Sequence, residues 1–494
     1  MTNQNSNRQS EEQPKDRSSQ PQSTQENEDA NAKFFVTQKS LPLVRYLSSN
    51  HSDEWDSYTD DEESFIQSFP KIELHVHLDG SFDPHYLFDF LQQQLQQSPQ
   101  YSDPIQTPSP YLCWPTEQPV PWDPDNSPLP LRSKVQDCQT PKQYHQLCTC
   151  RGYRSLAQML HCFQYFLPLV QGNLELLEKL AFDFVQRQWE QHVMYTEVRY
   201  SPHLLATQQS TGDEENKATS SIISAEQVYQ AVTHGLRRGT QHFGIKVNQI
   251  LCAITWHPEW AEGTLELAQE HFHEFPCGVV GIDIAAGEEH FDVERHPELY
   301  QPHYDMIQKA KQLHIPIALH AGESTSRARD NVRTAIETYG AKRIGHGYRM
   351  VDQPELMKFV KERGCHVEVC LTSSDETGGW DYDENTHKDW KQHPCVTMKQ
   401  HGVPFSLSSD DPAVFHTSLA WQYRTAVTKI GFDREIFEQT NLDAIAAAFL
   451  PEDEKEELRE QVRRYCSNAH RRSFRRASSE TFTDRVYLSN KQYL

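Results

Sequence analysis

Eight short apolar segments, each followed by a stretch of helical spacing, constrain this 494-residue chain more than any other feature. The segments have the length and residue types of buried strands, and the stretches between them repeat apolar residues every three or four positions. Strands that alternate with helices pair in parallel, and eight such units are typical of a TIM-type (β/α)8 barrel of the α/β class. We expect the strands at 71–77, 194–199, 246–254, 279–285, 315–320, 343–346, 366–371 and 404–408.

Three stretches lie outside this alternation: two tails and one insertion. We expect the barrel domain at residues 66–465, with the insertion inside it. Residues 1–65 are rich in Gln, Asn, Ser, Asp and Glu and would bury too little apolar surface to offset chain entropy, so we expect a disordered tail. Residues 92–131 become proline-rich, which excludes regular helix and central strand and indicates a surface insertion. Residues 466–494 read as a basic and polar tail, in which Arg-Arg-Ala-Ser at 475–478 also resembles a kinase site at Ser478.

Composition narrows the choice of partners. The formal net charge of −23 disfavours nonspecific binding to nucleic acid or to anionic membranes and favours a small neutral or cationic ligand. No run of about 18 apolar residues is present to span a membrane, and the polar N-terminus lacks the apolar core of a secretory signal. The eleven cysteines are scattered without a Cys-x-x-Cys, which indicates buried, reduced thiols. We expect a cytoplasmic monomer.

Histidines and carboxylates stand at the C-terminal ends of the expected strands, where barrel enzymes carry their chemistry. His75 and His77 are two residues apart, so both point to one face of the first strand. Three histidines and one carboxylate suffice to hold zinc and leave a position for water, and the remaining groups could serve as a base, a proton shuttle and polar anchors. Each could also be structural. The candidates are His75, His77, Asp79, His320, Glu323, His346, Asp410 and Asp411.

Several of these residues lie in motifs that resemble the adenosine deaminase family of the amidohydrolase superfamily. The first is the segment 71–81, Lys-Ile-Glu-Leu-His-Val-His-Leu-Asp-Gly-Ser. The others are Tyr-Ser-Pro-His-Leu-Leu at 200–205, His-Ala-Gly-Glu at 320–323, Gly-His-Gly-Tyr at 345–348 and Ser-Ser-Asp-Asp-Pro at 408–412. Val-Cys-Leu-Thr-Ser-Ser at 369–374 and Thr-Gly-Gly-Trp at 377–380 are similar to the adenosine deaminase subfamily proper. The resemblance covers residues 68 to 465.

The resemblance implies a zinc hydrolase that converts adenosine and 2′-deoxyadenosine to the inosines and ammonia, with one Zn²⁺ per chain. His77 would also contact the substrate, and Asp410 would also act in catalysis. The implied zinc ligands are His75, His77, His320 and Asp410.

The resemblance also implies roles for the remaining polar residues. Glu323 would protonate N1 of the purine, and His346 would orient the hydroxide that attacks C6. Asp411 would hold the N7 side of the base, and Asp79 would accept a hydrogen bond from the ribose 5′-hydroxyl. Each role agrees with the chemistry that the residue type can perform.

The chain departs from the family at two places. Asp-Ile-Ala-Ala-Gly-Glu-Glu at 283–289 stands where the family commonly has Asp-Leu-Ala-Gly-Asp-Glu. The backbone N–H that meets purine N3 would therefore belong to Gly287, after a one-residue insertion, or to Ala286, and we favour Gly287 because glycine lets the base approach closely. Ser-Thr-Ser-Arg at 324–327 lacks the small pair usual after His-Ala-Gly-Glu, so the loop beside Glu323 is expected to differ.

Two other functions remain open at this stage. The same chemistry could act on AMP, an N6-modified nucleotide or free adenine, although Asp79 would repel a 5′-phosphate. The fold could also serve a catalytically silent binding protein or a growth factor, against which the full set of candidate ligands and Glu323 argue. The zinc deaminases that act on cytidine are excluded, because the chain has no Pro-Cys-x-x-Cys.

Overall fold

A computed structural model describes residues 60–97, 138–207, 222–323, 328–380 and 388–479 of the chain. Most of the expected N-terminal tail, most of the proline-rich insertion, the loop at 324–327 and the final residues lie outside the described residues, as does the side chain of Ser478. Helices occupy residues 60–65, 92–97 and 466–479 in the structure, within stretches that the sequence assigns to the tails and the insertion.

The described residues include eight strands that pair in parallel and in chain order. β1 to β4 form one sheet and β5 to β8 form another. Single parallel bridges join the sheets, between Val76 and Asp410 and between Ile282 and Ile317. This order confirms the α/β class and is consistent with the expected barrel. The strands are β1 Lys71–His77, β2 Val193–Tyr200, β3 Lys246–Ile254, β4 Val279–Ala285, β5 Ala318–Ala321, β6 Arg343–His346, β7 His366–Val369 and β8 Phe405–Leu407.

Helices fill most of the connections between strands. Those before β4 are α1 Asp60–Ser68, α2 Pro84–Gln97, α3 Pro141–Leu147, α4 Leu156–Cys162, α5 Leu167–Val170, α6 Leu174–Glu190, α7 Pro202–Leu205, α8 Ala225–Phe243 and α9 Ala261–Glu270. The later ones are α10 Pro297–Gln312, α11 Ala328–Thr334, α12 Pro354–Glu362, α13 Leu371–Glu376, α14 Pro394–His401, α15 Leu419–Thr425, α16 Arg434–Ala447 and α17 Glu452–Ser479. None of the described helices is long and apolar enough to cross a membrane.

Three of the later strands, β5, β7 and β8, are shorter than the sequence predicts. β5 begins at Ala318 rather than at residue 315, although Ile317 still makes its single bridge to β4. Pro316 has no N–H to donate to a neighbouring strand, which weakens regular pairing at that point. β7 ends at Val369 because Leu371 already begins α13. An apolar run alone cannot separate a strand from the helix that follows it.

Helices α6 and α8 show how local sequence places the outer layer. Ser224 caps α8 and forms a capping box with Gln227, which satisfies free N–H groups of the first turn. A Cβ at Gly235 would lie 2.1 Å from the carbonyl oxygen of Glu178 in α6. The two helices therefore approach more closely than a larger residue would allow. Their apolar faces are buried in the main core, which lies between the helices and the strands.

Candidate active site

Four candidate ligands converge at the C-terminal ends of β1, β5 and β8. Asp410 Oδ1 lies 3.1 Å from Nε2 of His75 and 3.5 Å from Nε2 of His77. Nε2 of His77 lies 3.2 Å from Nε2 of His320. One ligand atom from each of the four side chains can be chosen so that all lie within 4.8 Å of one another. The structure thus brings together residues that are up to 335 positions apart in the chain (410 − 75).

The donor set fits a divalent metal ion. Nε2 of His75 is buried and makes no hydrogen bond among the described residues, although it faces a carboxylate oxygen. Burial lowers the pKa of His77 well below its usual value, and the neighbouring His320 and His75 act in the same direction, so the imidazole presents a lone pair. Three imidazoles and a carboxylate around one point match the ligands of a catalytic zinc ion.

Two buried carboxylates hold the histidines from behind. Nδ1 of His75 lies 2.7 Å from Oε2 of Glu368 in β7, and Nδ1 of His320 lies 2.9 Å from Oδ2 of Asp283 in β4. A carboxylate behind a histidine favours a proton on Nδ1 and so directs the Nε2 lone pair forward. Sequence reasoning missed both acids. Their signal is a charged residue within a strand that is otherwise apolar.

Arg199 joins these two carboxylates. Its Nη1 lies 2.8 Å from Asp283, and its Nη2 lies 2.7 Å from Glu368 and 2.6 Å from the carbonyl oxygen of Leu74. Nε of Arg343 lies 2.7 Å from the other oxygen of Glu368. Burial would raise the pKa of Glu368, but the two guanidinium groups outweigh it and hold this pKa well below its usual value. The acids behind the histidines therefore stay ionised.

Glu323 lies just beyond β5, buried beside His346, with 3.7 Å between its Oε2 and the Nε2 of that histidine. Burial, reinforced by the nearby charge of Asp410, raises the pKa of Glu323 to about 8. A carboxyl group with this pKa keeps a proton at neutral pH and can donate it.

His346 is placed to accept a proton. Its Nδ1 lies 3.2 Å from Oη of Tyr348, and that hydroxyl donates to the carbonyl oxygen of Cys370 at 2.9 Å. Because the hydroxyl proton is committed to the carbonyl, Nδ1 of His346 must be the donor in the first contact, which leaves a lone pair on Nε2. Burial lowers the pKa of His346 well below its usual value, so the ring stays neutral.

Asp79 and Asp411 lie on the same side of the site and meet at Gly80. A Cβ at Gly80 would lie 1.7 Å from Oδ1 of Asp411, so only glycine leaves room for that carboxyl group. Burial raises the pKa of Asp79 to about 7. Burial, followed by the charge of Asp410, raises the pKa of Asp411 well above its usual value. This shift favours the protonated form of Asp411, which can donate a hydrogen bond.

The loop after β4 contains both candidates for the N3 contact. Ala286 has φ +84°, a conformation that normally favours glycine. A Cβ at Gly287 would lie 2.0 Å from Oε2 of Glu289 and 2.8 Å from Cζ2 of Trp256. Packing against Glu289 and Trp256 therefore already requires glycine at position 287, whether or not a purine binds there.

The chain is similar to known deaminases in sequence and in fold. The family model described as adenosine deaminase matches residues 133–465. An adenosine deaminase of Xenopus tropicalis is 31% identical over 397 residues, which is 79% of this chain and 93% of that protein. A zinc-bound amidohydrolase from Burkholderia ambifaria has a TM-score of 0.58 at 20% identity and covers 84% of this chain and 94% of its own. An Arabidopsis N6-mAMP deaminase has a TM-score of 0.57 at 22% identity and covers 81% of this chain and 99% of its own.

Proposed function

The chain belongs to the adenosine deaminase family, and on that premise we propose that it hydrolyses adenosine and 2′-deoxyadenosine to inosine and 2′-deoxyinosine, with release of ammonia. One observation carries the proposal: a proton-bearing Glu323 lies at the edge of a converging set of three histidines and an aspartate. A proton donor beside a potential zinc site is the combination that replacement of an amino group by water requires.

One Zn²⁺ per chain is proposed, held by His75, His77, His320 and Asp410. When bound, the ion lowers the pKa of a water molecule to about 7 and so makes a nucleophile available at neutral pH. Two features of this chain support the assignment: the buried Nε2 of His75, which faces Oδ1 of Asp410 at 3.1 Å, and the carboxylates behind two of the histidines. Arg199 supports the site indirectly, by holding those carboxylates.

Glu323 and His346 divide the proton transfers between them. Protonated Glu323 would donate to N1 of the purine, which makes C6 more electrophilic. Nε2 of His346 would accept a hydrogen bond from the attacking water and hold it on one face of the ring. Water adds at C6, the C6–N bond breaks, and the oxygen stays on C6. Of the two protons of water, one leaves with the amino group as ammonia and the other replaces the proton that Glu323 gave to N1.

The remaining polar groups would orient the nucleoside. Neutral Asp411 would donate a hydrogen bond to N7, and His77 would lie against the substrate. Asp79 would accept a hydrogen bond from the 5′-hydroxyl of the ribose. The backbone N–H of Gly287 or of Ala286 would meet N3. The left-handed backbone conformation at residue 286 favours Ala286 as this donor. If the chain has no insertion here, Ala286 occupies the position at which the family has glycine.

Asp79 also provides the test of substrate class. Purified protein is incubated in parallel with adenosine, AMP and adenine, and the ultraviolet absorbance change is followed. We expect adenosine to be strongly preferred, and we expect Asp79→Asn to narrow the preference over AMP because the negative charge of ionised Asp79 near the phosphate is removed. Equal turnover of AMP and adenosine by the wild-type protein would overturn the nucleoside proposal.

We further propose that the protein is a monomer in the cytoplasm. Every described cysteine is a buried thiol outside any disulfide, which supports a reducing compartment. Light scattering coupled to gel filtration tests the oligomeric state, and cell fractionation tests the location.

A further inference from the structure

Glu288, in the loop between β4 and the next helical turn, binds the loop that carries Glu323. Its Oε1 accepts the backbone N–H of Glu323 at 2.9 Å. Its Oε2 accepts the backbone N–H of Gly322 at 2.9 Å and a side-chain N–H of Asn331 at 2.7 Å. One carboxylate thus takes two consecutive backbone donors and a third donor from α11.

The turn that Glu288 binds has little freedom elsewhere. Gly322 has φ +76°, and a Cβ there would lie 2.5 Å from Cγ2 of Val332, so the turn requires glycine. The carbonyl oxygen of Gly322 accepts the N–H of Arg349 at 3.0 Å. The turn is therefore held on both sides. Glu288 accepts its two N–H groups, and the N–H of Arg349 binds its carbonyl oxygen.

We propose that Glu288 is a positioning residue for the reaction: it fixes the backbone from which Glu323 reaches N1, and so sets the distance over which the proton is transferred. The inference rests on the proposed deaminase activity for its catalytic consequence, but the binding of the turn stands on geometry alone. Hydrogen bonds between a charged acceptor and backbone N–H groups are stronger than neutral ones, which suits them to hold a catalytic loop. Proton transfer needs such accuracy, since a shift of about 1 Å can cost about 100-fold in rate.

Charge gives a second link between the two acids. After burial and Asp410, the negative charge of Glu288 is among the causes that raise the pKa of Glu323. Replacing Glu288 by glutamine would loosen the turn, because the amide offers one acceptor oxygen where two N–H groups need acceptors. It would also remove the charge that helps Glu323 to keep its proton.

The experiment compares Glu288→Gln with Glu289→Gln in the zinc-loaded protein. Glu289 is the next residue, and its Oε2 contacts Nε1 of Trp256 at 3.2 Å rather than the turn at Gly322. For Glu288→Gln we expect kcat for adenosine to fall about 10- to 100-fold, KM to change less than about threefold, and zinc content to stay at wild type. We expect the high-pH limb of the kcat profile to move to lower pH. Glu289→Gln should keep kcat within about twofold.

Amide hydrogen exchange provides a readout that does not depend on turnover. In Glu288→Gln the N–H groups of Gly322 and Glu323 should exchange faster than in the wild type, whereas Glu289→Gln should leave them unchanged. If the wild-type protein deaminated no nucleoside, the proposed function would fail while the exchange data still decided whether Glu288 holds the turn. Unchanged exchange in Glu288→Gln, or an equal loss of kcat in Glu289→Gln, would overturn the inference.

Asn331→Ala covers the case in which Glu288→Gln does not fold. This variant keeps the carboxylate and removes only the donor from α11, so a loss of about fivefold to tenfold in kcat is expected, as for one lost hydrogen bond. Faster exchange at Gly322 should accompany it. Wild-type exchange and kcat in a folded Asn331→Ala would count against the inference.

Discussion

At the scale of single residues, protonation decides what this site can do. Burial raises the pKa of Glu323 to about 8, so Glu323 carries a proton near pH 7, and burial also raises the pKa of Asp411 well above its usual value. Burial pushes those of His77 and His346 down, so both rings are neutral. Carboxyl groups that donate hydrogen bonds and imidazoles that accept them suit the hydrolysis of a nucleoside.

Glu323→Gln tests the proton donor directly. The amide keeps the shape of the side chain but cannot transfer a carboxylic proton to N1, so kcat for adenosine should fall about 10²- to 10⁴-fold. Zinc content, measured by elemental analysis, should stay at wild type. Glu337→Gln is the matched control, because the side chain of Glu337 is 43% exposed and lies on an outer helical turn. An unchanged kcat in Glu323→Gln would remove this residue from the mechanism.

The raised pKa of Glu323 also predicts a pH effect on the stability of the zinc-free protein. The folded state holds this proton until about pH 8, whereas the unfolded chain releases it near the usual glutamate pKa of 4.5. Stability from this group is therefore complete below about pH 4.5 and is lost as the pH rises through about 8. Glu323→Gln has no such loss. After chelation, the melting temperature of the variant minus that of the wild type should increase from pH 6 to pH 8.

In Glu337→Gln the same difference should stay constant with pH, because that side chain is exposed. A flat difference for Glu323→Gln would show that the buried carboxyl group is ionised in the folded zinc-free protein.

At the scale of secondary-structure elements, the site depends on side chains from strands that are not neighbours within either sheet. β1, β5 and β8 carry the candidate ligands, and the strands β2, β4 and β7 carry the network behind them. Arg199 of β2 reaches Asp283 of β4 and Glu368 of β7 with one guanidinium group. Charged side chains are buried within these strands because each has an opposite charge or a carbonyl oxygen beside it.

Arg199→Met tests this network. Loss of the guanidinium leaves two carboxylates with fewer partners in a buried site, and breaking a buried ion pair costs about 3–5 kcal/mol. The two histidines lose their orientation as well, so zinc affinity should fall about 10- to 100-fold. Competition with a metal chelator measures the affinity, and thermal unfolding measures the stability.

Arg237→Met is the control for this variant, since that arginine is 38% exposed on α8. It should change neither quantity appreciably. Wild-type zinc affinity in a folded Arg199→Met would show that the carboxylates stay in place without the arginine.

At the scale of the whole molecule, the described site draws its side chains from residues 75 to 411, within the barrel domain proposed for residues 66–465. We expect deletion of residues 1–59 to leave kcat, KM and zinc content near wild type, because a polar segment of this composition contributes little buried apolar surface. Activity per zinc-bound molecule is the measurement. A truncated protein that loses zinc or does not fold would show that this segment stabilises the barrel.

Local sequence determined much of the fold and the list of candidate residues. The strand predictions at 71–77, 246–254, 279–285 and 343–346 match the structure residue for residue, because buried strands with polar or glycine-containing boundaries leave a clear pattern. Helix α8 also depends on local sequence, because its cap and its amphipathic spacing lie within residues 224–243. The motifs predicted which histidines and acids belong to the candidate site, since each motif places a residue type suited to the chemistry at the end of a strand.

Only the tertiary structure decided what surrounds those residues. Arg199 and Glu368 are 169 positions apart in the chain, and Glu288 and Glu323 are 35 apart, so no periodicity or spacing predicts that they meet. The shifted pKa values arise in the same way, because they depend on burial and on charges from other strands rather than on neighbouring sequence. The type of each group is written in the chain, but its protonation state and its orientation are properties of the folded barrel.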